Sequence, residues 1–238
     1  MFDLSLALPD RSIRSSTPPP AVAAGFLSPT ADRATFAARW HLLELKHDIR
    51  SLDLRQLTAR RTDGHGLTAD GRALTDFVQI TQESAGIGFV TALDGATWAK
   101  LDRKQRAQIR SPHEFCFERL LRQVFDRLDS QDANGMLTLV VPLERRSWET
   151  RLTALEAALA RDTRTDRLLT SVTFAAPAFD RRLDAARILQ ASMRAELRRK
   201  AASGRSVAAQ SLTAWAVQST ICEIWDAETC KRRLSKLD

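Results

Sequence analysis

At 238 residues, with 44% hydrophobic and 27% charged side chains, the chain can hold one large domain or two small ones and has an ordinary globular composition. No run approaches the roughly 18 uninterrupted apolar residues of a membrane-spanning helix, and three cysteines without a CxxC pair argue against a disulfide framework or a zinc ribbon. The formal charge is +7, of which +6 lies between Arg181 and Asp238, where twelve Lys or Arg face six Asp or Glu; a basic tail on a near-neutral body points to a polyanionic partner, nucleic acid before membrane.

The first residues, MFDLSLALPDRS, carry an acid where a secretory leader carries bases, so a cytoplasmic protein is expected. Phe2 to Leu8 alternates apolar and polar and predicts a strand, with Asp3 and Ser5 on one face. Pro9 to Pro20 is a loop, and Ala21 to Leu27 is the simplest hairpin partner for the first strand. Ser28-Pro29-Thr30 is placed to cap a helix whose buried stripe is Phe36, Trp40 and Leu43. Ile49 to Leu57 predicts a short strand and Arg60 to Gly66 a loop.

Thr68 to Glu83 predicts a helix with Leu74, Phe77, Val78 and Thr81 inward. Ile87 to Leu93 is a buried strand, and Ala96 to Arg110 a polar helix. From Pro112 onward, Cys116, Phe117, Leu120, Leu121, Val124, Phe125 and Leu128 make the most apolar helix of the chain. Asn134-Gly135 turns into the strand Met136 to Leu143. Ser147 would cap a helix carrying Trp148, Leu152, Leu155 and Leu159, and Leu168 to Phe174 is a further strand. Val207 to Trp225 reads as a helix apolar on two sides, a surface that is either buried or open to a protein partner.

The order is a strand hairpin followed by strands alternating with helices, hence an α/β chain with a mixed sheet. Phosphate-cradling glycine clusters and the Gly-Xaa-Ser-Xaa-Gly elbow are both absent. Histidines stand at 41, 47, 65 and 113, and the spacing of six between His41 and His47 does not put them on one helix face, so no histidine metal site is expected.

The stretch around which the rest is organised is APAFDRRLDAARILQASMRAELRRK, residues 176 to 200. On a helical period Leu183, Ala186, Leu189, Met193 and Leu197 form a buried stripe, and Arg187, Arg194 and Arg198 form a row beside it. With Arg181, Arg182, Arg199 and Lys200 they are the candidate phosphate contacts, since the planar guanidinium fork bonds phosphate bidentately. Asp184, one turn before Arg187, reads as its ion-pair partner.

A strand ending in Ala-Gly, then a helix with Phe36 and Trp40 four apart, in AVAAGFLSPTADRATFAARWHLLELKHDI, resembles the second strand and first helix of the bacterial family called domain of unknown function 3800. The stretch PAFDRRLDAARILQASMRAELRR resembles the family's last strand end and helix. The resemblance implies an RNase H-like domain over residues 1–201, with residues 202–238 as a C-terminal helical extension packed on it or on a partner. It also implies a carboxylate cluster that holds divalent metals, Mg²⁺ or Mn²⁺, for phosphodiester hydrolysis.

Asp3 and Ser5 match the first acidic motif, with Leu4 and Leu6 in place of its Glu and Gly. Glu144 stands where a middle acid could, and Asp180 matches an acid near the last helix. The acid expected on that helix is missing: Arg187, Ser192 or Met193 takes its place. Asp3, Glu144 and Asp180 are therefore the candidate catalytic residues and Asp3 the candidate metal ligand, in a degenerate site with no cofactor expected unless those acids function together. A cation standing at the missing acid could still hold a phosphate. The resulting expectation is a nucleic-acid-associated RNase H-like module, impaired in catalysis, in a prokaryotic nucleoprotein or defence-type system. The alternatives are an active metal-dependent nuclease, with Asp184 also a candidate acid, and a protein-interaction subunit.

Overall fold

The alternation in the first residues builds β1 (Phe2–Ala7), and the rest of the sheet assembles around it. The computed structural model of the chain describes residues 1–7, 20–49, 69–109, 111–133, 135–143, 148–176, 178–203 and 220–234. The other strands are β2 (Ala21–Pro29), β3 (Ile87–Leu93), β4 (Leu137–Pro142), β5 (Leu169–Ala175) and β6 (Thr220–Trp225). Their order is β5-β4-β1-β2-β3-β6. β1, β2 and β3 form an antiparallel meander. β4 and β5 continue parallel to β1 on its other side. This mixed sheet is consistent with the RNase H-like arrangement expected from the hairpin-first order, with Asp3 on a central strand opposite Thr138 of β4.

Two cores cover the two faces. On one, Leu4, Leu6, Phe89, Leu93, Leu137, Leu139 and Val141 of the sheet pack on α5 (Pro112–Asp129), through Phe117, Leu120, Leu121, Val124, Phe125 and Leu128. Gly25 of β2 makes room for a side chain of β1: a Cβ there would stand 2.8 Å from Leu4 Cδ1. On the other face, Ala7, Val22, Ala24, Phe26 and Val90 meet α1 (Arg33–Lys46), α2 (Ala69–Glu83) and α8 (Arg182–Ser203). An aromatic series, Phe26–Phe36–Trp40–Phe77, runs through it with centroids 5.7, 5.5 and 4.6 Å apart. Leu183, Ala186, Leu189, Met193 and Leu197 are all buried, as the helical period required. Asp3 and Ser5 share the parity of Ala7, so they face α8.

Three expectations change. The polar helix after β3 is two helices, α3 (Gly95–Lys100) and α4 (Arg103–Ile109). Each has its own start signal. The Asp94 carboxylate accepts from Thr97 N at 3.0 Å, and Asp102 and Gln105 exchange side-chain to backbone bonds at 2.8 and 3.2 Å in a capping box. Ser28-Pro29 ends β2 rather than capping a helix, and α1 begins at Arg33 after a 3₁₀ turn.

The third change is in the tail. Thr220–Trp225 is a strand, not the end of a helix, and it pairs parallel with β3. Within it Ile221 and Trp225 take one strand face and Cys222 and Ile224 the other, and residues 207–219 of the expected helix lie outside the described residues. It is tied down by Glu223, which accepts from Arg119 at 2.8 and 3.1 Å and from Gln123 at 3.0 Å, and which also pairs with Arg233 of α9 (Ala227–Leu234). Arg119 and Arg233 both lie over the Trp225 ring, 5.3 and 5.4 Å from its centroid. The remaining helices are α6 (Trp148–Leu159) and α7 (Thr165–Leu168). The expected loop at 9–20 (save Pro20), the expected strand at 49–57 beyond Ile49, the loop at 60–66 and the Ser147 cap lie outside the described residues. Among the described residues no helix is long and apolar enough to cross a membrane.

Candidate functional site

Asp3 and Asp180 do come together, but around a cation supplied by the chain. Asp3 points from β1 toward the start of α8 and is 3% exposed. Asp180 lies two residues before Arg182, the first residue of α8, and its Oδ1 accepts from the backbone N–H of Arg182 at 3.1 Å. The Arg182 side chain then folds back onto the same carboxylate: Nε donates to Oδ1 at 2.9 Å and Nη2 to Oδ2 at 2.8 Å. The same Nη2 stands 2.8 Å from Asp3 Oδ2, and Nη1 donates to Ser28 Oγ at 3.2 Å. Thr30 Oγ1 donates to Asp3 Oδ1 at 3.2 Å. Arg33 closes the outer side, with Nη2 3.2 Å from Asp180 Oδ2.

The result is a buried, charge-balanced cluster. Asp3, Asp180 and Arg182 are 3%, 2% and 1% exposed, and the two carboxylates are matched by the guanidinium groups of Arg182 and Arg33. Burial works against the charge on Arg182, but the Asp180 and Asp3 carboxylates outweigh it and hold its pKa above the ordinary arginine value. A guanidinium so held is permanently charged.

A second cluster follows along α8. Asp184 is 2% exposed and faces Arg187 Nη1 at 3.1 Å and Arg181 Nη1 at 3.4 Å. Arg181 Nη2 reaches across to Glu44 of α1 at 2.9 Å. Burial pushes the Asp184 carboxyl above the usual range despite both arginines. The expected Asp184–Arg187 pair is therefore present, and Asp184 is engaged rather than free to act as an acid.

The divalent metals implied by the resemblance do not fit these residues. Both candidate acids spend their facing oxygens on one guanidinium, and among the described residues no group of three or more His, Cys, Asp or Glu converges. A dication about 4 Å from that guanidinium would meet a repulsion of about 8 kcal/mol at an effective dielectric of 20. That exceeds the roughly 4 kcal/mol of a millimolar site.

The remaining candidates separate. Glu144 lies outside the described residues, as do the side chains of Arg198, Arg199 and Lys200 on α8. Arg187 and Arg194 are half-buried. Arg182, expected among the phosphate contacts, is corrected: 1% exposed and enclosed by Asp3, Asp180 and Ser28, it offers nothing to a phosphate. The cation in the acid site is thus Arg182, not Arg187, and it grips carboxylates in place of the phosphate anticipated there. The signal for it was in the sequence. Arg182 is in helical phase with Ala186, Leu189 and Met193, so an arginine on the buried stripe had to find acids beneath it. Phe179 was also passed over. It is 82% exposed, in a turn fixed by bonds from the N–H groups of Phe179 and Asp180 to Ala176 O at 2.8 and 3.2 Å. Compared with models of protein families and with curated proteins, the chain matches none.

Proposed function

We propose that the chain is a non-hydrolytic RNase H-like module that associates with nucleic acid, a cytoplasmic part of a prokaryotic nucleoprotein or defence-type system, as the resemblance to domain of unknown function 3800 implies. The observation that carries the reading is the Arg182 guanidinium between Asp3 and Asp180. Two-metal hydrolysis needs carboxylates free to converge on cations, and these are already neutralised inside the protein. Association with nucleic acid is supported by the +6 charge of residues 181–238 and by the exposed ring of Phe179 beside the cluster. Stacking on such a ring is the sequence-tolerant contact single strands use, worth about 1–3 kcal/mol per base.

The test is binding of labelled single- and double-stranded oligonucleotides over a salt series, with cleavage followed in Mg²⁺ and Mn²⁺. Binding should weaken steeply with salt, by about 0.9 in slope for each phosphate contact on duplex DNA. Replacing Arg187, Arg194 and Arg198 together by Ala should flatten that slope by roughly two to three. Phe179→Ala should weaken single-strand binding and leave the slope alone. No binding at low salt, or metal-dependent cleavage that disappears in Asp3→Asn, would overturn the reading.

One observation favours a second reading, a protein-interaction subunit. β5 is a sheet edge in which Thr170 to Phe174 are all exposed, with no charge in its sequence LTSVTFA. The edge of a sheet is where an added strand can pair. Val172→Lys should abolish a protein contact made there without altering nucleic-acid affinity.

A further inference from the structure

We propose that β5 pairs with β5 of a second copy of this chain, antiparallel about a two-fold axis at Val172, so that two sheets join into one; this rests on the protein-interaction reading of that edge and names its partner. The strand sequence, LTSVTFA, holds neither a charge nor a proline. Sheet edges of monomeric proteins are ordinarily guarded by a lysine, a proline or an inward charge. The opposite edge shows the contrast: β6 carries Glu223, which Arg119 and Arg233 hold. Among the described residues β4 is the one strand beside β5.

The backbone of β5 is turned for an added strand. Ala175 O accepts from Leu143 N at 2.8 Å, so Ala175 and the residues of its parity, Thr173 and Ser171, direct their backbone groups toward β4. Val172 directs its N–H and C=O the other way. The side chains agree with this. Val172 stands beside Leu139 and Phe174 beside Val141, on the sheet face that α5 covers further in. They nevertheless keep 37% and 36% of their surface exposed, and the neighbouring Leu143 keeps 56%. The apolar surface of that face thus runs past its helical cover to the edge.

A copy of the same strand fits what lies there. The chain is +7 overall, so two copies repel where charged faces meet, and residues 169–175 are a stretch without charge. With Val172 on the two-fold axis, Val172 faces Val172, Ser171 faces Thr173 and Thr170 faces Phe174. Hydroxyl pairs and β-branched residues opposite aromatic ones are among the pairs that stabilise antiparallel ladders. A two-fold axis normal to the sheet keeps the apolar face of both copies on one side, so their Val172, Phe174 and Leu143 surfaces merge. One shared strand pair is a small interface, below about 1,200 Å², and the dimer should have a dissociation constant of roughly 10–100 µM.

The experiment is sedimentation equilibrium of the full chain from low micromolar to several hundred micromolar, with Val172→Lys and Val172→Glu measured alone and mixed in equal amounts. The natural chain should pass from monomer to dimer. Each variant alone sets like charges opposite each other across the axis and should bind itself at least about tenfold more weakly. The mixture sets Lys opposite Glu and should dimerise again. Exchange of the Val172 amide should slow as the natural chain is concentrated, a readout that needs no variant to fold. The proposal is overturned by a natural chain that stays monomeric, by dimerisation unchanged in both charge variants, or by a mixture that does not recover. A lysine-flanked peptide of alternating Val and Thr separates the two levels. A chain that stays monomeric but binds this peptide, and loses it in Val172→Lys, overturns the self-pairing and leaves the protein-interaction reading standing; a chain that does neither removes both.

Discussion

Among the described residues the same local device appears in two places and serves different ends. In Asp162-Thr163-Arg164, Asp162 Oδ1 accepts from the backbone N–H of Arg164 at 3.0 Å and from its Nε at 2.8 Å, while Oδ2 accepts from Nη2 at 2.7 Å. In Asp180-Arg181-Arg182 the same three bonds form at 3.1, 2.9 and 2.8 Å, again just before a helix. The surroundings differ. Arg164 keeps 21% of its side chain exposed, lies 5.5 Å from the Phe125 ring centroid and adds Asp126 and Asp129 at the surface. Arg182 is sealed between α8 and the sheet and adds Asp3 and Ser28. Both forks join an Asp to the Arg two residues after it, at the start of a helix. Tertiary placement decides whether that fork is a surface staple or the counter-ion of a sheet acid.

That comparison sets the scale of the effects. Arg182→Met should cost about 3–5 kcal/mol, because it leaves the buried Asp3 without a cation and the buried Asp180 with Arg33 alone. Arg164→Met should cost about 1 kcal/mol or less, since water can take over its acids. Urea unfolding of the two variants side by side measures the ratio, and equal losses would break the comparison. Asp3→Asn keeps the Asp180–Arg182 fork and removes only the sheet acid, so its cost should fall between them, about 1–3 kcal/mol.

A smaller effect separates the clusters by pH. Arg119 and Gln123 hold the Glu223 carboxyl below its ordinary value of 4.5 in spite of its burial, so its stabilisation is present above that value and is lost as pH falls through the lowered pKa. Burial holds Asp184 above its ordinary 3.8, so whatever it contributes is present below 3.8 and is lost as pH rises through the raised pKa. From acid toward neutral pH, the stability gap between natural chain and variant should therefore widen for Glu223→Gln and narrow for Asp184→Asn. Thermal unfolding across that range checks the opposite signs; slopes of one sign would show that one of the two carboxyls is solvated rather than held.

How far the sequence alone reaches is visible in particular residues. The hairpin-first order put Asp3 on a central strand, and the period of α8 identified Leu183, Ala186, Leu189, Met193 and Leu197 as buried. Both follow from patterns that repeat over many residues. What escaped depends on single residues and long-range contacts. Arg182 was grouped with its basic neighbours, although its phase placed it on the apolar stripe; the acid that completes its cluster, Asp3, is 179 positions away in the sequence. Thr220–Trp225 became a strand because β3 offered an edge to pair with, which no local propensity records. The split between α3 and α4 was legible, since Asp102 and Gln105 stand at capping-box spacing.

The measurement closest to the central claim is a crystal structure of the natural chain soaked in millimolar Mn²⁺ and read by anomalous scattering. The account predicts no manganese at the sheet acids and the Arg182 guanidinium within hydrogen-bond distance of both Asp3 and Asp180. A manganese ion ligated by Asp3 and Asp180, with Arg182 swung away, would contradict it and return the chain to the class of metal-dependent nucleases.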